Sequence, residues 1–458
     1  MIDKVLNKKC SGWKNTTIEE RNKITNFCIK YIDFLNSAKT EREATKEIVS
    51  RLTKANFKDI NSLKTIKPGD KVFYVNHGKS VYAAVIGEES LVKGINIVGS
   101  HIDSPRLDLK PNPLYEDANL ALFKTHYYGG IKKYQWTTIP LALHGVVVKS
   151  NLEKVEITIG EESTDPIFTI TDILPHLAQA QGEKKMNKAI DGESLNVLVG
   201  SMPLNNISIK GNIMNLLNKK YGITEKDFYS AELEFVPAFK AKNLGFDESM
   251  VAAYGQDDRV CSYTNLEALI DAKAAKKTMV SIFSDKEEIG SVGNTGMCSE
   301  IFELFINLLL NKKGENGFGV LNELYVNSKM LSADVGAGVD HNYQDVSEKN
   351  NASYIGFGVE INKYTGARGK SGASDANAEY VGKVRNIFES NDVLYQVSEL
   401  GKVDIGGGGT IAYILANKGI EVVDCGVPII SMHSPYEVAS KFDIYQAYKA
   451  YKSFFEAE

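Results

Sequence analysis

Glu287 and Glu288 follow Ser284-Asp285-Lys286 behind an apolar run, Thr278-Met279-Val280-Ser281-Ile282-Phe283, that reads as a buried strand. Two carboxylates at the end of a buried strand are unfavourable unless a positive partner holds them. A divalent metal ion would do so, and would let the neighbours divide the work: one binds the ion, the other moves protons. Three further strand-like runs end in potential ligands. Ile95–Ser100 ends at His101, with Asp103 two residues on; the run around Lys329–Ala333 ends at Asp334; Val427–Met432 ends at His433. The pair Asp257-Asp258 precedes Arg259 and a helical segment, Tyr263–Ala272. In open α/β sheets, sites form beyond the carboxyl ends of strands, so ligand types recurring there are more than composition.

Each piece alone has a plain structural alternative. His101 and Asp103 point to one face of an extended chain and could be a structural pair. Asp257-Asp258 could be charge at a helix N-terminus, Glu287-Glu288 capping charge, and Asp334 a turn residue before Gly336 and Gly338. Counted together, His101, Glu288, Asp334 and His433, with Asp257 bridging, make two protein-held sites of nitrogen and oxygen type. That composition suits two Zn²⁺ ions and also Co²⁺ or Mn²⁺. Glu287 is left as the base that takes a proton from a water between them, and Asp103 as the partner that fixes the His101 tautomer. The chemistry is metal-assisted hydrolysis.

The elements that must carry these residues are legible in outline. The expected fold class is α/β: a three-layer catalytic domain with a central mixed sheet, interrupted by an inserted β-rich domain. Residues 17–55 read as two helices, the second opened by a capping box at Thr40-Glu41-Arg42-Glu43. Val72–Val75 and Val81–Ile86 read as a hairpin around Asn76-His77-Gly78-Lys79. Between about residues 108 and 240 the pattern becomes β-rich (Thr137–Lys149, Val155–Ile159) and holds no comparable ligand cluster. The expected division is therefore catalytic domain 1–107, insertion 108–240, catalytic domain 241–458.

The 458 residues carry 53 Lys and Arg against 58 Asp and Glu, a net charge of −5. That balance gives no general attraction to nucleic acid or to an anionic membrane surface. No apolar run is long enough to span a bilayer, and no signal peptide is evident. Five widely spaced cysteines without a C-x-x-C pair suit a reducing cytoplasm.

Ile405-Gly406-Gly407-Gly408-Gly409-Thr410-Ile411-Ala412 reads as a glycine-rich turn entering a helix. It lacks the final glycine of a dinucleotide fingerprint. Gly407 and Gly408 suit instead a carbonyl or carboxylate of a substrate.

Six segments together resemble the aminopeptidase I / aspartyl aminopeptidase family of dinuclear metallopeptidases. They are Gly99–Pro105 (GSHIDSP), Gly255–Arg259 (GQDDR), Ser284–Ser291 (SDKEEIGS), Ser332–Asp334 (SAD), Gly406–Thr410 (GGGGT) and Ser431–Glu437 (SMHSPYE), in the family's order along nearly the whole chain. The resemblance implies removal of N-terminal amino acids from peptides. It also implies a homo-oligomer of tetrahedral dodecamer type, in which His176 of a Pro175-His176-Leu177-Ala178 segment reaches a neighbouring subunit's active site as a substrate or metal contact. A carboxypeptidase or N-acyl amino-acid deacylase on the same metal scaffold is the alternative. Where the aspartyl branch has a histidine-containing version of Ala333–Tyr343, this chain has Ala337 and Asp340-His341-Asn342-Tyr343, which leaves acidic specificity open. Arg368 and Lys370 are the cations that could recognise an acid.

Overall fold

The computed structural model describes residues 5–6, 9–273 and 275–458. The chain forms two compact units. One takes in the chain up to Asp103 together with Ala241–Met432 and Tyr436–Glu458; the other comprises Ser104–Lys240 and His433–Pro435.

The larger unit is built on a nine-stranded mixed sheet. Its strands are β1 (Lys58–Asp59), β2 (Lys71–Asn76), β3 (Ser80–Val85), β4 (Asn96–His101), β5 (Met279–Ser284), β6 (Lys329–Ser332), β7 (Val359–Asn362), β8 (Tyr395–Ser398) and β9 (Glu421–Gly426). Their spatial order is β1-β2-β3-β5-β4-β6-β9-β7-β8. The four central neighbours, β5, β4, β6 and β9, run parallel. Parallel strands need both faces covered, and nearly every residue of these four is buried rather than every second one.

The two-residue period still shows in which core each side chain joins. Val98, Phe283 and Leu331 enter one cluster; their neighbours Ile97, Ile282 and Met330 enter the other. The first face is covered by α1 (Ile18–Ser37), α2 (Glu41–Lys54), α3 (Gln256–Asp271), α6 (Ala378–Ser390) and α8 (Lys441–Phe455). The second is covered by α4 (Ile301–Lys313), α5 (Val320–Asn327) and the short α7 (Ala412–Ala416). This is the expected three-layer arrangement.

The local signals act as anticipated where they are strong. Thr40 and Glu43 form a reciprocal capping box that opens α2, and Thr17 with Glu20 does the same for α1. Between β2 and β3, His77 and Gly78 both take positive φ (50° and 68°), the twist a tight hairpin needs.

One strand departs from expectation. The run Val427–Met432 is extended only over Pro428–Ile430, and that strand belongs to a separate five-stranded sheet with Lys242–Leu244, Met250–Ala253, Glu437–Ser440 and Gly336–Ala337. The nine-stranded sheet instead uses β9 just before it. The chain passes from one sheet to the other at Val427, so a single apolar run serves two sheets.

The smaller unit is a six-stranded antiparallel sheet. Its order is Lys154–Ile159, Leu141–Val148, Ala231–Pro237, Arg106–Asp117, Leu120–Tyr128, Val197–Gly200. The helix Ile209–Tyr221 packs on it, and Leu107, Phe123, Leu143 and Phe235 are among its buried residues. It begins at Ser104 rather than at 108, because Arg106–Asp117 is one continuous strand. No helix among the described residues is long and apolar enough to cross a membrane.

Candidate active site

His101 closes β4, Glu287 and Glu288 lie just past the end of β5, and Asp334 lies just past the end of β6. Three adjacent parallel strands thus deliver their next residues to one edge of the sheet. Asp257 and Asp258 reach the same place from the first turn of α3, where nearly every residue is buried.

His101 is 1% exposed. Its Nδ1 lies 3.1 Å from the Asp103 carbonyl and 3.3 Å from Asp103 Oδ1. The opposite nitrogen, Nε2, has no hydrogen-bond partner, yet Asp257 Oδ1, Asp334 Oδ1 and Glu287 Oε2 stand around it at 3.2, 3.7 and 3.8 Å. A buried ring nitrogen ringed by carboxylate oxygens, its other nitrogen fixed by a backbone carbonyl, is the arrangement of a metal-ligating histidine. Ligand atoms of His101, Asp257 and Glu288 lie within 4.8 Å of one another, as do those of His101, Asp258 and Asp334.

The electrostatics point the same way. Burial pushes the Glu287 carboxyl up to about 8; the charge of His101 opposes that rise, while Asp334 and Asp257 add to it. Burial also raises Asp334, against the pull of the neighbouring His101. Asp258 is raised well above the carboxylate range, first by burial and then by Asp334. For His101 burial works downward, but Asp103, Asp257 and Asp334 outweigh it and lift the imidazole well above its usual value. Several carboxylates thus compete for one cation, and the donor set of one imidazole and several carboxylate oxygens fits a divalent ion such as zinc.

Asp103 does more than face His101. Its two carboxylate oxygens accept the backbone N–H groups of Glu287 (3.1 Å) and Glu288 (3.2 Å). Those residues form a single 3₁₀ turn between Lys286 and Gly290, both at positive φ. One buried carboxylate therefore orients the histidine and pins the turn carrying both glutamates. Replacing Asp103 by alanine should weaken zinc binding and lower kcat, each by about 10- to 100-fold, read by zinc titration and steady-state kinetics. Normal values for both would remove Asp103 from this role.

The other expected residues have settings of their own, and some contributors were missed. His433 sits in a turn at φ 62° in the smaller unit, where its Nδ1 lies 2.8 Å from the Gly130 carbonyl; it is in neither ligand group. His176 is exposed in the 3₁₀ turn Pro175–Leu177 of the same unit. Gly407 and Gly408 line a surface cavity of about 340 Å³. Lys370 is occupied, its Nζ 3.1 Å from Asp375 and 3.8 Å from the centre of the Tyr364 ring.

Asp258 was not among the expected ligands, although its Oδ2 accepts the His101 N–H at 3.2 Å and its Oδ1 has no hydrogen-bond partner. Glu437 was also missed: its Oε2 accepts the Asp257 N–H at 3.1 Å. Asp424, buried in β9, accepts from Thr410 Oγ1 at 2.7 Å, and burial pushes it up to about 7. An aspartate inside the apolar run Val422-Val423-Asp424-Cys425 was the signal that could have found it.

The family description "Aminopeptidase I zinc metalloprotease (M18)" matches residues 34–455. The chain belongs to the M18 family. The probable M18 family aminopeptidase 1 of Clostridium acetobutylicum is 51% identical over 433 residues, 93% of each chain. The crystal structure of the M18-family aminopeptidase from Thermotoga maritima superposes with a TM-score of 0.95 at 44% identity, covering 98% of this chain and 100% of that one. The S. cerevisiae mApe1 dodecamer shares the fold at 21% identity, with a TM-score of 0.76 over 94% of this chain and 96% of that one. This M18 chain is a metallo-aminopeptidase, an exopeptidase hydrolase, rather than the carboxypeptidase or deacylase weighed as its alternative.

Proposed function

We propose that this M18 aminopeptidase holds two divalent ions, with zinc in first place and Co²⁺ or Mn²⁺ as substitutes. His101, Asp257 and Asp334 would hold one; Asp257, Glu288 and His433 would hold the other, with Asp257 shared. The observation carrying this reading is the bare Nε2 of His101 facing the Asp257 and Asp334 oxygens at 3.2 and 3.7 Å. His433 enters on the family motif it belongs to. Ions so held would supply the Lewis acidity that polarises a scissile carbonyl and lowers the pKa of a water.

The chain's own residues do the rest. Glu287, which stands beside that cluster with Oε2 3.8 Å from His101 Nε2, takes the attacking water's proton and returns it to the leaving amine. Asp103 keeps the Glu287–Ile289 turn and the His101 ring in place. Asp258 and Glu437 hold the backbone N–H groups of His101 and Asp257.

The same proposal includes a tetrahedral dodecamer acting in the cytoplasm. The smaller unit supports assembly: around His176 it exposes Ile173, Leu174, Leu177 and Met186, each 45% or more, an apolar patch of the kind that protein interfaces cover. His176 would then serve a neighbouring subunit. All five cysteines are free thiols, consistent with a reducing compartment.

The direct test is a panel of aminoacyl p-nitroanilides, free and N-acetylated, offered to chelated enzyme refilled with Zn²⁺, Co²⁺ or Mn²⁺. Cleavage of free-amino substrates alone, restored by metal at two ions per chain, is expected. Full restoration at one ion per chain would overturn the two-ion reading.

A further inference from the structure

The turn that carries both glutamates is flanked by unfavourable backbone. Lys286 and Ser291, on either side of Glu287–Gly290, take positive φ of 67° and 61°. Neither is glycine, so each conformation persists only where the surroundings impose it. The Ser291 N–H donates to the Lys286 carbonyl at 2.7 Å and closes the loop on itself. From the side of β4, Asp103 holds the N–H groups of Glu287 and Glu288. The opposite side is held by the segment that follows, which carries none of the expected ligands.

Thr295 donates from Oγ1 to Asp285 Oδ2 at 2.6 Å. Both residues are 2% exposed. Asp285 is the first residue after β5 and stands two before Glu287, and its backbone is bridged to Gly296. A buried hydrogen bond to a carboxylate is short and directional. The segment is also packed tightly against the turn. A Cβ at Gly296 would lie 2.2 Å from the Ser291 carbonyl oxygen, and that carbonyl accepts the Cys298 N–H at 3.0 Å. Thr295 therefore cannot shift without disturbing Ser291 and the loop it closes.

The brace continues outward. Asn76, buried at the end of β2, donates from Nδ2 to the Asn294 carbonyl at 2.8 Å. The β2–β3 hairpin holds none of the ligands or the base, yet it grips the chain one residue from Thr295.

We propose that Thr295, acting through Asp285, is a positioning residue that sets where Glu287 stands beside the ligand cluster. The inference rests on Glu287 being the base and adds what places it. Glu287 meets the cluster only at its rim, Oε2 3.8 Å from His101 Nε2, so its carboxylate stands where the backbone beneath it stands. A displacement of about 1 Å in a group that must meet the attacking water can cost about 10²-fold in rate.

The experiment is a double-mutant cycle on zinc-loaded enzyme with one aminoacyl p-nitroanilide that wild type cleaves. It compares wild type, Thr295→Val, Glu287→Gln and the pair, with Thr295→Ser as the variant that keeps the hydroxyl. Kinetics are run well below the melting temperature of every variant. Thr295→Val should lower kcat by about tenfold or more with KM unchanged, and Thr295→Ser should return kcat close to wild type. In the Glu287→Gln background the valine substitution should change kcat by less than about twofold, because the base it positions is already gone. A contact that merely stabilised the fold would lower both backgrounds alike. Amide exchange across residues 287–291 of the metal-free protein should speed up in Thr295→Val and not in Thr295→Ser. Equal losses in the two backgrounds, unchanged exchange, or wild-type kcat in Thr295→Val overturn the inference and leave Glu287 as the base. Near-normal turnover of Glu287→Gln alone overturns both. Should Thr295→Val not fold, Asn76→Ala, which loosens the same loop from outside, takes its place in the cycle.

Discussion

Replacing Glu287 by glutamine should lower kcat by about 10³-fold or more, within the range general acid–base catalysis supplies, while the protein keeps its metal. Glutamine preserves the shape and the backbone turn, because the anchors of that turn are main-chain N–H groups held by Asp103. What it removes is a carboxylate able to take a proton. Glu287 Oε2 stands 3.8 Å from His101 Nε2, at the rim of the ligand cluster, and its side chain is 16% exposed where His101 and Asp257 are 2% and 5%. The more accessible carboxylate suits a group that must meet water. Glu288→Gln should behave in the opposite order, losing metal first and activity as a consequence. Metal content by atomic emission, beside steady-state kinetics, separates the two. Near-normal turnover of Glu287→Gln would remove it from the role of base. Loss of metal in that variant would make it a ligand.

The parts of this site that were legible in sequence share one property: each sits where a continuous apolar run stops. Ile95–Ser100 and Thr278–Phe283 are buried on both faces, and the candidate ligands stand just beyond them: His101 directly after the first, the Glu287-Glu288 pair after Ser284-Asp285-Lys286 behind the second. The three-layer fold follows from the same runs, since strands without alternation require cover on both sides. The signal fails where one run serves two structures. Val422–Met432 is nearly unbroken apolar sequence, yet β9 ends at Gly426, the next strand begins at Pro428 in another sheet, and His433 lands in a turn. Gly426 shows the constraint: a Cβ there would lie against the Asp334 carbonyl, so the crossing is set by a contact across nearly a hundred residues.

Asp258 and Glu437 were hidden for a related reason. Their work is to hold the backbone N–H groups of His101 and Asp257, a contact that leaves no trace in local residue type. Gly409 was hidden inside a repeat. Four successive glycines look alike in sequence, and only the surroundings of each Cβ separate Gly406 and Gly407, demanded by backbone approach, from Gly409, whose Cβ would meet nothing within 4 Å.

Stripped of divalent ions, the protein should become less stable as pH rises from about 5 to about 8, and zinc should restore most at the upper end. The sign follows from the direction of each shift. Glu287 rises from 4.5 to about 8, Asp285 and Asp424 each from 3.8 to about 7, and Asp258 and Asp334 also move upward. A carboxyl raised in the folded state keeps a proton that the unfolded chain has released. The stability this contributes is complete below the unfolded value and is lost as pH climbs through the folded one. His101, raised from 6.5, loses stability in the same direction.

Surface carboxylates such as Glu20, Asp165 and Glu389 shift downward, held by hydrogen bonds from Thr17, Gly160 and Tyr395. Their contribution is complete above about pH 4.5 and cannot mask the trend. The buried cluster amounts to several kcal/mol at pH 8, a difference of roughly 5–10 °C in melting temperature. A divalent ion takes the place of the missing protons, so its stabilisation should grow over the same interval. Thermal melting of chelated protein at pH 5, 6.5 and 8, with and without added zinc, reads this directly. If the metal-free melting temperature rises across that interval, or if zinc adds the same increment at every pH, these carboxylates do not compete for a shared cation.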